Sequence, residues 1–353
     1  MRLMRMVSLL AAAVVGLALI AACAPPGAQT EGQGSGGGGE KAQQDVAQAT
    51  GDECKVNPPD LSMKDAVVGF SQSEKEVNPF RIAETESMRS EAKERGIKKL
   101  VYTNANSQAS KQISDIRDMI AQDVDAIVVA PLLEEGLAPA LNAAKEAKVP
   151  VFLIDRETAG TPCEDYITFM GSNFLEQGEK AAEKLAELTN EKAKVAVLEG
   201  TPGASVTIDR TEGFEEGLKE YPNMEIVASQ TGEFLRTKGQ TVMEQLIQSN
   251  PEINAVYAEN DEMALGAIQA LKDAGKDPGQ DVKVLSIDGT RQAVQAITTG
   301  DINAVIETNP RFGPLAFDTF EKFLAGEPIP QKIIVQDDIY TPENAQEKLN
   351  ETY

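Results

Sequence analysis

The sequence predicts an α/β protein built from two doubly wound parallel sheets. Three observations carry this. Short apolar runs alternate with amphipathic segments of helical period along most of the chain. The runs number about ten, more strands than one compact open sheet usually holds, and 353 residues suffice for two domains. With 41% hydrophobic and 25% charged residues, the composition is that of a globular chain with an ample core.

The elements follow from the N-terminus. Arg2 and Arg5 precede an apolar run, Val7 to Ala22. That run is shorter than the ~20 residues of a membrane span, so residues 1–22 read as a signal peptide. Its end, Ile20-Ala21-Ala22-Cys23, resembles a bacterial lipobox, which predicts cleavage before Cys23 and lipidation of its thiol. Residues 23–53, with "GQGSGGGGE" at their centre, read as a flexible tether. The glycine run follows no strand and opens no helix, so it is not a phosphate loop. Once Cys23 is lipidated, Cys54 and Cys163 remain, and outside the cytoplasm two such cysteines favour a disulfide. Sequence alone does not show that they are close.

Strands are expected at Ala66–Ser71, Lys99–Thr103, Ala126–Ala130, Pro150–Ile154, Tyr166–Met170, Lys194–Glu199, Glu225–Ala228, Ala255–Ala258, Val282–Ile287 and Asn303–Glu307. Helical patterns fill the gaps, among them Arg81–Arg95, Ser107–Gln122, Glu134–Ala147, Leu175–Leu188, Val206–Glu220, Thr237–Ser249 and Glu262–Ala274. Doubly wound sheets hold ligands at the carboxyl ends of their strands. That rule points to Ser71-Gln72 onward, Asp155-Arg156, Gly200 onward, Glu259-Asn260-Asp261 and Asp288-Gly289. Strand ends are solvated and polar in any case, so a single polar residue there means little. Asp, Asn and Arg at successive ends mean more.

Composition removes several function classes. There is no His, which excludes Ser-His-Asp and Cys-His catalysis and His metal sites, and no metal or cofactor is expected. There is no Trp, so an aromatic platform must be Phe or Tyr. The net charge of −23 disfavours nucleic acid. "EGTPGAS", Glu199 to Ser205, lacks the Lys-Ser/Thr ending of a nucleotide loop, and reads better as a turn presenting a helix N-terminus to a neutral ligand. A glycosidase needs two carboxylates at a set separation, which the sequence does not fix.

A binding protein suits these residues better. A sugar offers vicinal hydroxyls and an apolar C–H face. Asp accepts hydroxyl hydrogens, Arg donates in a fork, Asn does both, and an aromatic ring covers the C–H face. The segments "VVGFSQ", "VDAIVVAPL", "VPVFLIDRE", "LEGTPGASVTIDRTEGFEEGLK", "NAVYAENDEMALGAIQALKDAGK" and "VLSIDGT" occur in that order. As a set they resemble the ribose-type periplasmic sugar-binding proteins of bacterial ABC transporters. "GASVTIDR", "TKGQTVMEQLI", "AENDEMALGAIQA" and "SIDGT" are most similar to the galactofuranose-binding branch. The likeness spans roughly Val67 to Tyr353.

That resemblance implies two Rossmann-like lobes of the periplasmic-binding-protein-like I type, joined by three crossing strands, with ligand in the cleft between them. The crossings fall near Met170, Thr308 and Val335. Residues 65–169 with 309–335 then form one lobe, and 170–308 with 336–353 the other. By motif, Asn78, Phe80 and Arg81 in "NPFR", the pair Asp155 and Arg156, Arg210 in "TIDR", Phe234 in "GEFLR", Asn260 in "AENDE" and Asp288 in "SIDG" are the implied sugar ligands. Phe80 stands where the galactofuranose branch has Trp, and Ser73 to Val77 is one residue longer and more charged than in that branch. The sugar's identity therefore hangs on this loop.

On its own, Phe80 opens a helix and would be core, and Glu262 reads as helix-start charge. The implied function is a lipid-anchored, monomeric, extracytoplasmic substrate-binding protein that delivers galactofuranose or a galactose-like monosaccharide to an ABC permease. A sugar or autoinducer receptor serving a membrane sensor is the alternative. A transcription regulator of similar fold is disfavoured by the leader, the charge and the missing DNA-binding head.

Overall fold

Residues 46–353 are described by the computed structural model. The expected signal peptide, Cys23 and most of the expected tether lie outside these residues. In chain order the first half holds β1 (Val46–Cys54), β2 (Val67–Gln72), α1 (Pro79–Glu94), β3 (Lys99–Asn104), α2 (Ala109–Ala121), β4 (Ala126–Val129), α3 (Ala138–Ala147), β5 (Val151–Ile154) and β6 (Phe169–Gly171). Then come α4 (Phe174–Thr189), β7 (Ala193–Glu199), α5 (Ser205–Leu218), β8 (Met224–Thr231), α6 (Arg236–Ser249), β9 (Ala255–Ala258), α7 (Asp261–Asp273), β10 (Lys283–Asp288), α8 (Arg291–Thr299) and β11 (Ala304–Glu307). The chain closes with α9 (Gly313–Leu324), β12 (Ile329–Val335), β13 (Ile339–Tyr340) and α10 (Ala345–Lys348).

These strands form two sheets. One runs β1-β12-β6-β5-β4-β2-β3 and the other β13-β11-β10-β9-β7-β8. Pairing is parallel except at one edge of each sheet, where β1 meets β12 and β13 meets β11 antiparallel. The central strands β4, β5 and β9 are buried at every residue, as parallel strands covered by helices on both faces must be. The chain passes between the sheets three times: after β6, after β11 and between β12 and β13. This is the two-lobed fold with a three-strand hinge that the sequence implied.

Aromatic packing fills the layers. In the first lobe Phe152 meets Phe320 and Phe323 edge-on at 6.0 and 5.7 Å. In the second, Phe214 stacks on Tyr257 at 4.2 Å. There α4 and α5 approach so closely that a Cβ on Gly213 would lie 2.0 Å from the Leu175 carbonyl oxygen. Side chains of Asn78, Asn173, Asn260 and Thr290 cap α1, α4, α7 and α8 by accepting from N–H groups of the first turn.

One expectation is corrected. The tether does not run to residue 53, because Val46–Cys54 is strand β1, with Val46 opposite Val335 and Cys54 opposite Ile329. Its sequence, "VAQATGDEC", has no apolar period because it is an edge strand held by its partner's backbone. The Cys54–Cys163 disulfide, Cα–Cα 5.1 Å, fastens its end to the loop between β5 and β6. The strand β12 and helices α8 to α10 add to the expected set.

Candidate functional site

The site is made where parallel strands stop. In the first sheet the chain goes from β2 outward to β3 and returns to β4 on the other side; in the second it goes from β7 to β8 and returns to β9. Each reversal opens a crevice at the carboxyl ends of the strands. The two crevices face each other. One cavity lies between them, lined by Glu74, Asn78, Phe80, Arg81, Asp155, Arg156, Val206, Arg210, Phe234, Asn260 and Asp288. All nine sequence-expected residues are among these.

Local backbone explains how adjacent charges converge. β5 ends at Ile154, and the Arg156 N–H donates to the Ile154 carbonyl at 2.7 Å, closing a γ-turn with Asp155 at φ +63°. On an extended strand the two side chains would point to opposite faces; the turn brings both into the cleft. They do not pair mainly with each other, since Arg156 Nε stands 3.7 Å from Asp155 Oδ2. Arg81 Nη1 donates to Asp155 Oδ2 at 2.6 Å and to Glu84 Oε2 at 2.8 Å. Arg156 Nη2 donates to Glu74 Oε2 at 3.1 Å, and its Nη1 to the Leu132 carbonyl at 3.2 Å.

The second lobe supplies Arg210 from α5, Asn260 from the end of β9 and Asp288 from the end of β10. Arg210 is 2% exposed. Its Nη1 donates to the Glu259 carbonyl, its Nε to Gln177 Oε1 at 3.0 Å and its Nη2 to Thr308 Oγ1 at 2.9 Å; Asp288 Oδ1 is 3.8 Å from Nη2. Asn78 and Asn260 also serve as helix caps, their Oδ1 atoms accepting from Phe80 N and Met263 N at 2.9 Å.

Aromatic faces come from both lobes. Phe80 is part of the first-lobe core and also of the cleft wall. Phe234, at φ +58°, lies under the Arg156 guanidinium at 5.4 Å from the ring centroid. Gly200 lets it do so: a Cβ there would fall 1.9 Å from Phe234 Cζ. Glu262 pairs with Arg236 at 2.6 Å, as a helix-start charge, and does not line the cavity.

Burial governs the carboxyls. It opposes ionisation of Glu74, yet Arg156 and Arg81, with the Thr201 hydroxyl, outweigh it and hold that pKa at about 2. Burial raises Glu84 to about 7 against the pull of Arg81. It also pushes Asp288 well above the carboxylate range despite Arg210, with Asp261 and Asp155 adding to the rise.

Both lobes touch across the cleft. Thr201 Oγ1 donates to Glu74 Oε1 at 2.8 Å, Glu134 N to the Gly203 carbonyl at 2.8 Å, and Glu157 N to Ser205 Oγ at 3.0 Å. Behind the cleft, Gln177 Nε2 donates to Thr308 Oγ1 at 2.9 Å and Asp337 Oδ2 at 2.8 Å, tying two of the crossings to the residue that holds Arg210. The molecule is therefore in a closed form. Sequence reasoning missed Glu74, Val206, Thr201 and Gln177. Glu74 was within reach of the strand-end rule, standing two residues after β2.

A family model described as a periplasmic binding protein domain matches residues 68–328. The chain belongs to the periplasmic binding protein family. Its members are binding proteins, not enzymes, that work outside the cytoplasm. Among the described residues no helix is long and apolar enough to cross a membrane. This periplasmic binding protein is 40% identical over 287 residues to the galactofuranose-binding protein YtfQ of Escherichia coli, covering 80% of this chain and 90% of that one. It is similar to the binding component of the arabinose ABC transporter of Shewanella sp. ANA-3, solved with α- and β-L-arabinofuranose: 40% identity, TM-score 0.78, 81% of this chain and 95% of that one. A Mycobacterium smegmatis protein solved with β-D-fucofuranose is likewise similar: 40% identity, TM-score 0.78, 80% and 94% covered.

Proposed function

We propose that this protein is the substrate-binding component of an ABC sugar importer, closing on one monosaccharide and presenting it to the permease. The observation that carries the reading is convergence. Asp155 and Arg156 from one lobe, and Arg210, Asn260 and Asp288 from the other, line the same small cavity with Phe80 and Phe234. A ligand touching both sets favours the closed form by its differential contacts.

The ligand is galactofuranose or a galactose-like sugar. Galactofuranose, L-arabinofuranose and D-fucofuranose share the configuration at C2, C3 and C4, and relatives that bind them support a furanose of that configuration here. Each hydrogen bond to a charged group contributes about 1.5–3 kcal/mol, so a few suffice for a micromolar Kd, about −8 kcal/mol. Free aldoses are furanose only in part, which raises the apparent Kd by the inverse of that fraction.

The N-terminal leader and Cys23 support lipid anchoring, with the segment up to β1 as the tether and the body acting as a monomer on the outer face of the membrane. A thermal-shift panel on the tether-free body tests the function. L-arabinose, D-fucose and D-galactose should raise the melting temperature, while ribose, xylose and glucose leave it unchanged. No shift with any sugar contradicts the reading.

A further inference from the structure

Glu74 belongs to two spaces at once. It lines the cleft, and it also lines an outer cavity of about 270 Å3 bounded by Asn106, Ser107, Thr201 and Glu233. The wall between them is thus partly a carboxylate. Its Oε2 accepts from Arg156 Nη2 at 3.1 Å and Arg81 Nε at 3.3 Å, and its Oε1 accepts from Thr201 of the other lobe at 2.8 Å.

The two arginines depend on it unequally. Arg81 has Asp155 and Glu84 within 2.8 Å. Arg156 is 2% exposed and has Glu74 as its one carboxylate at hydrogen-bonding distance among the described residues; its Nε is buried without a hydrogen-bond partner. A guanidinium with Nε and Nη2 on one edge is a fork for a carboxylate or phosphate. Glu74 occupies part of that fork.

We propose that Glu74 is a specificity-determining residue, holding Arg156 and Arg81 so that the cleft admits neutral sugars and turns away sugars carrying a carboxylate or phosphate. This rests on the sugar-binding reading. An acidic sugar reaching Arg156 meets a second carboxylate on the same guanidinium, and like charges at contact in a dry site repel strongly. A neutral sugar keeps Glu74 in place and uses Asp155, Asp288, Asn260 and the remaining donors. The two arginines hold the carboxylate in the cleft, while the bond from Thr201 ties it to the other lobe and so supports closure, not selection.

The test is calorimetry of the wild type, Glu74→Gln and Thr201→Val with L-arabinose and D-galacturonate. Glu74→Gln keeps size and an acceptor for Thr201 while removing the charge. The wild type should prefer L-arabinose at least a hundredfold, and Glu74→Gln should narrow that preference below tenfold, chiefly by tighter galacturonate binding. Thr201→Val should weaken L-arabinose several-fold and keep the preference. An unchanged preference in Glu74→Gln overturns the proposal, as does its collapse in Thr201→Val. If Glu74→Gln does not fold, Glu74→Asp, with its carboxylate drawn back from both arginines, replaces it: a tenfold narrowing supports the proposal and an unchanged preference overturns it. Should the wild type bind L-arabinose while the preference survives every variant, the role of Glu74 falls alone; should it bind neither sugar, the sugar reading falls with it.

Discussion

Asp155→Asn isolates the charge at the centre of the cleft. The substitution preserves shape, and Asn tolerates the left-handed backbone, φ +63°, that Asp155 adopts. What is lost is the carboxylate that accepts from Arg81 at 2.6 Å and lies 3.7 Å from Arg156. Folding should change by no more than about 1 kcal/mol, because Arg81 retains Glu84 at 2.8 Å and Glu74 at 3.3 Å and no buried charge is stranded. Binding should suffer more. A ligand hydroxyl bonded to a charged acceptor loses about 1.5–3 kcal/mol, a ~10- to ~150-fold rise in Kd. Titration calorimetry with L-arabinose, beside thermal melts of the apo protein, separates the two effects. An unchanged Kd would remove Asp155 from the ligand, and a collapsed melt with intact affinity would make it a purely structural residue.

Three further outcomes follow from the same geometry. Gly200→Ala forces Phe234 off its seat, since the new Cβ would lie 1.9 Å from the ring; about 1–3 kcal/mol of stability and at least tenfold in affinity should be lost, read by melts and calorimetry. Reducing Cys54–Cys163 should cost about 2–4 kcal/mol in chemical denaturation and free β1 to hydrogen exchange, with sugar affinity kept. Burial raises Glu84 and Asp337 to about 7, Glu259 to about 8 and Asp261 to about 6. Between the ordinary carboxylate values and these, the folded state binds more protons than the unfolded, so stability falls as pH rises; calorimetric melts should run higher at pH 5 than at pH 8. Glu74 acts oppositely: its contribution is complete above about pH 4.5 and is lost as pH falls toward 2.

The sequence made the central strands legible because β4, β5 and β9 are buried on both faces and so read as unbroken apolar runs. The edges were harder. β1 answers to hydrogen bonds and a disulfide, not to side-chain burial, and β12 contains Pro330 and polar residues. The nine cleft residues were all implied by the family resemblance, and the strand-end rule reached Asp155, Arg156, Asn260 and Asp288 independently, while Phe80, Arg81 and Arg210 sit on helices that the rule does not mark. Glu74 stood within reach of the strand-end rule, but nothing local singled it out, because its role lies in distant contacts: two arginines, 7 and 82 positions on, and a threonine 127 positions on in the other lobe. The Asp155-Arg156 pair shows the converse: side chains of neighbours on an extended strand diverge, so a mutual bond was not the natural reading, and the backbone turn gives each a different partner.

The most direct test is a crystal structure of the tether-free body with D-galactofuranose. The account predicts one sugar ring in the cleft, within hydrogen-bonding distance of Asp155 and Arg156 from one lobe and of Arg210, Asn260 and Asp288 from the other, with Glu74 still on Arg156. A sugar bound elsewhere, or an empty cleft at saturating ligand, would contradict it.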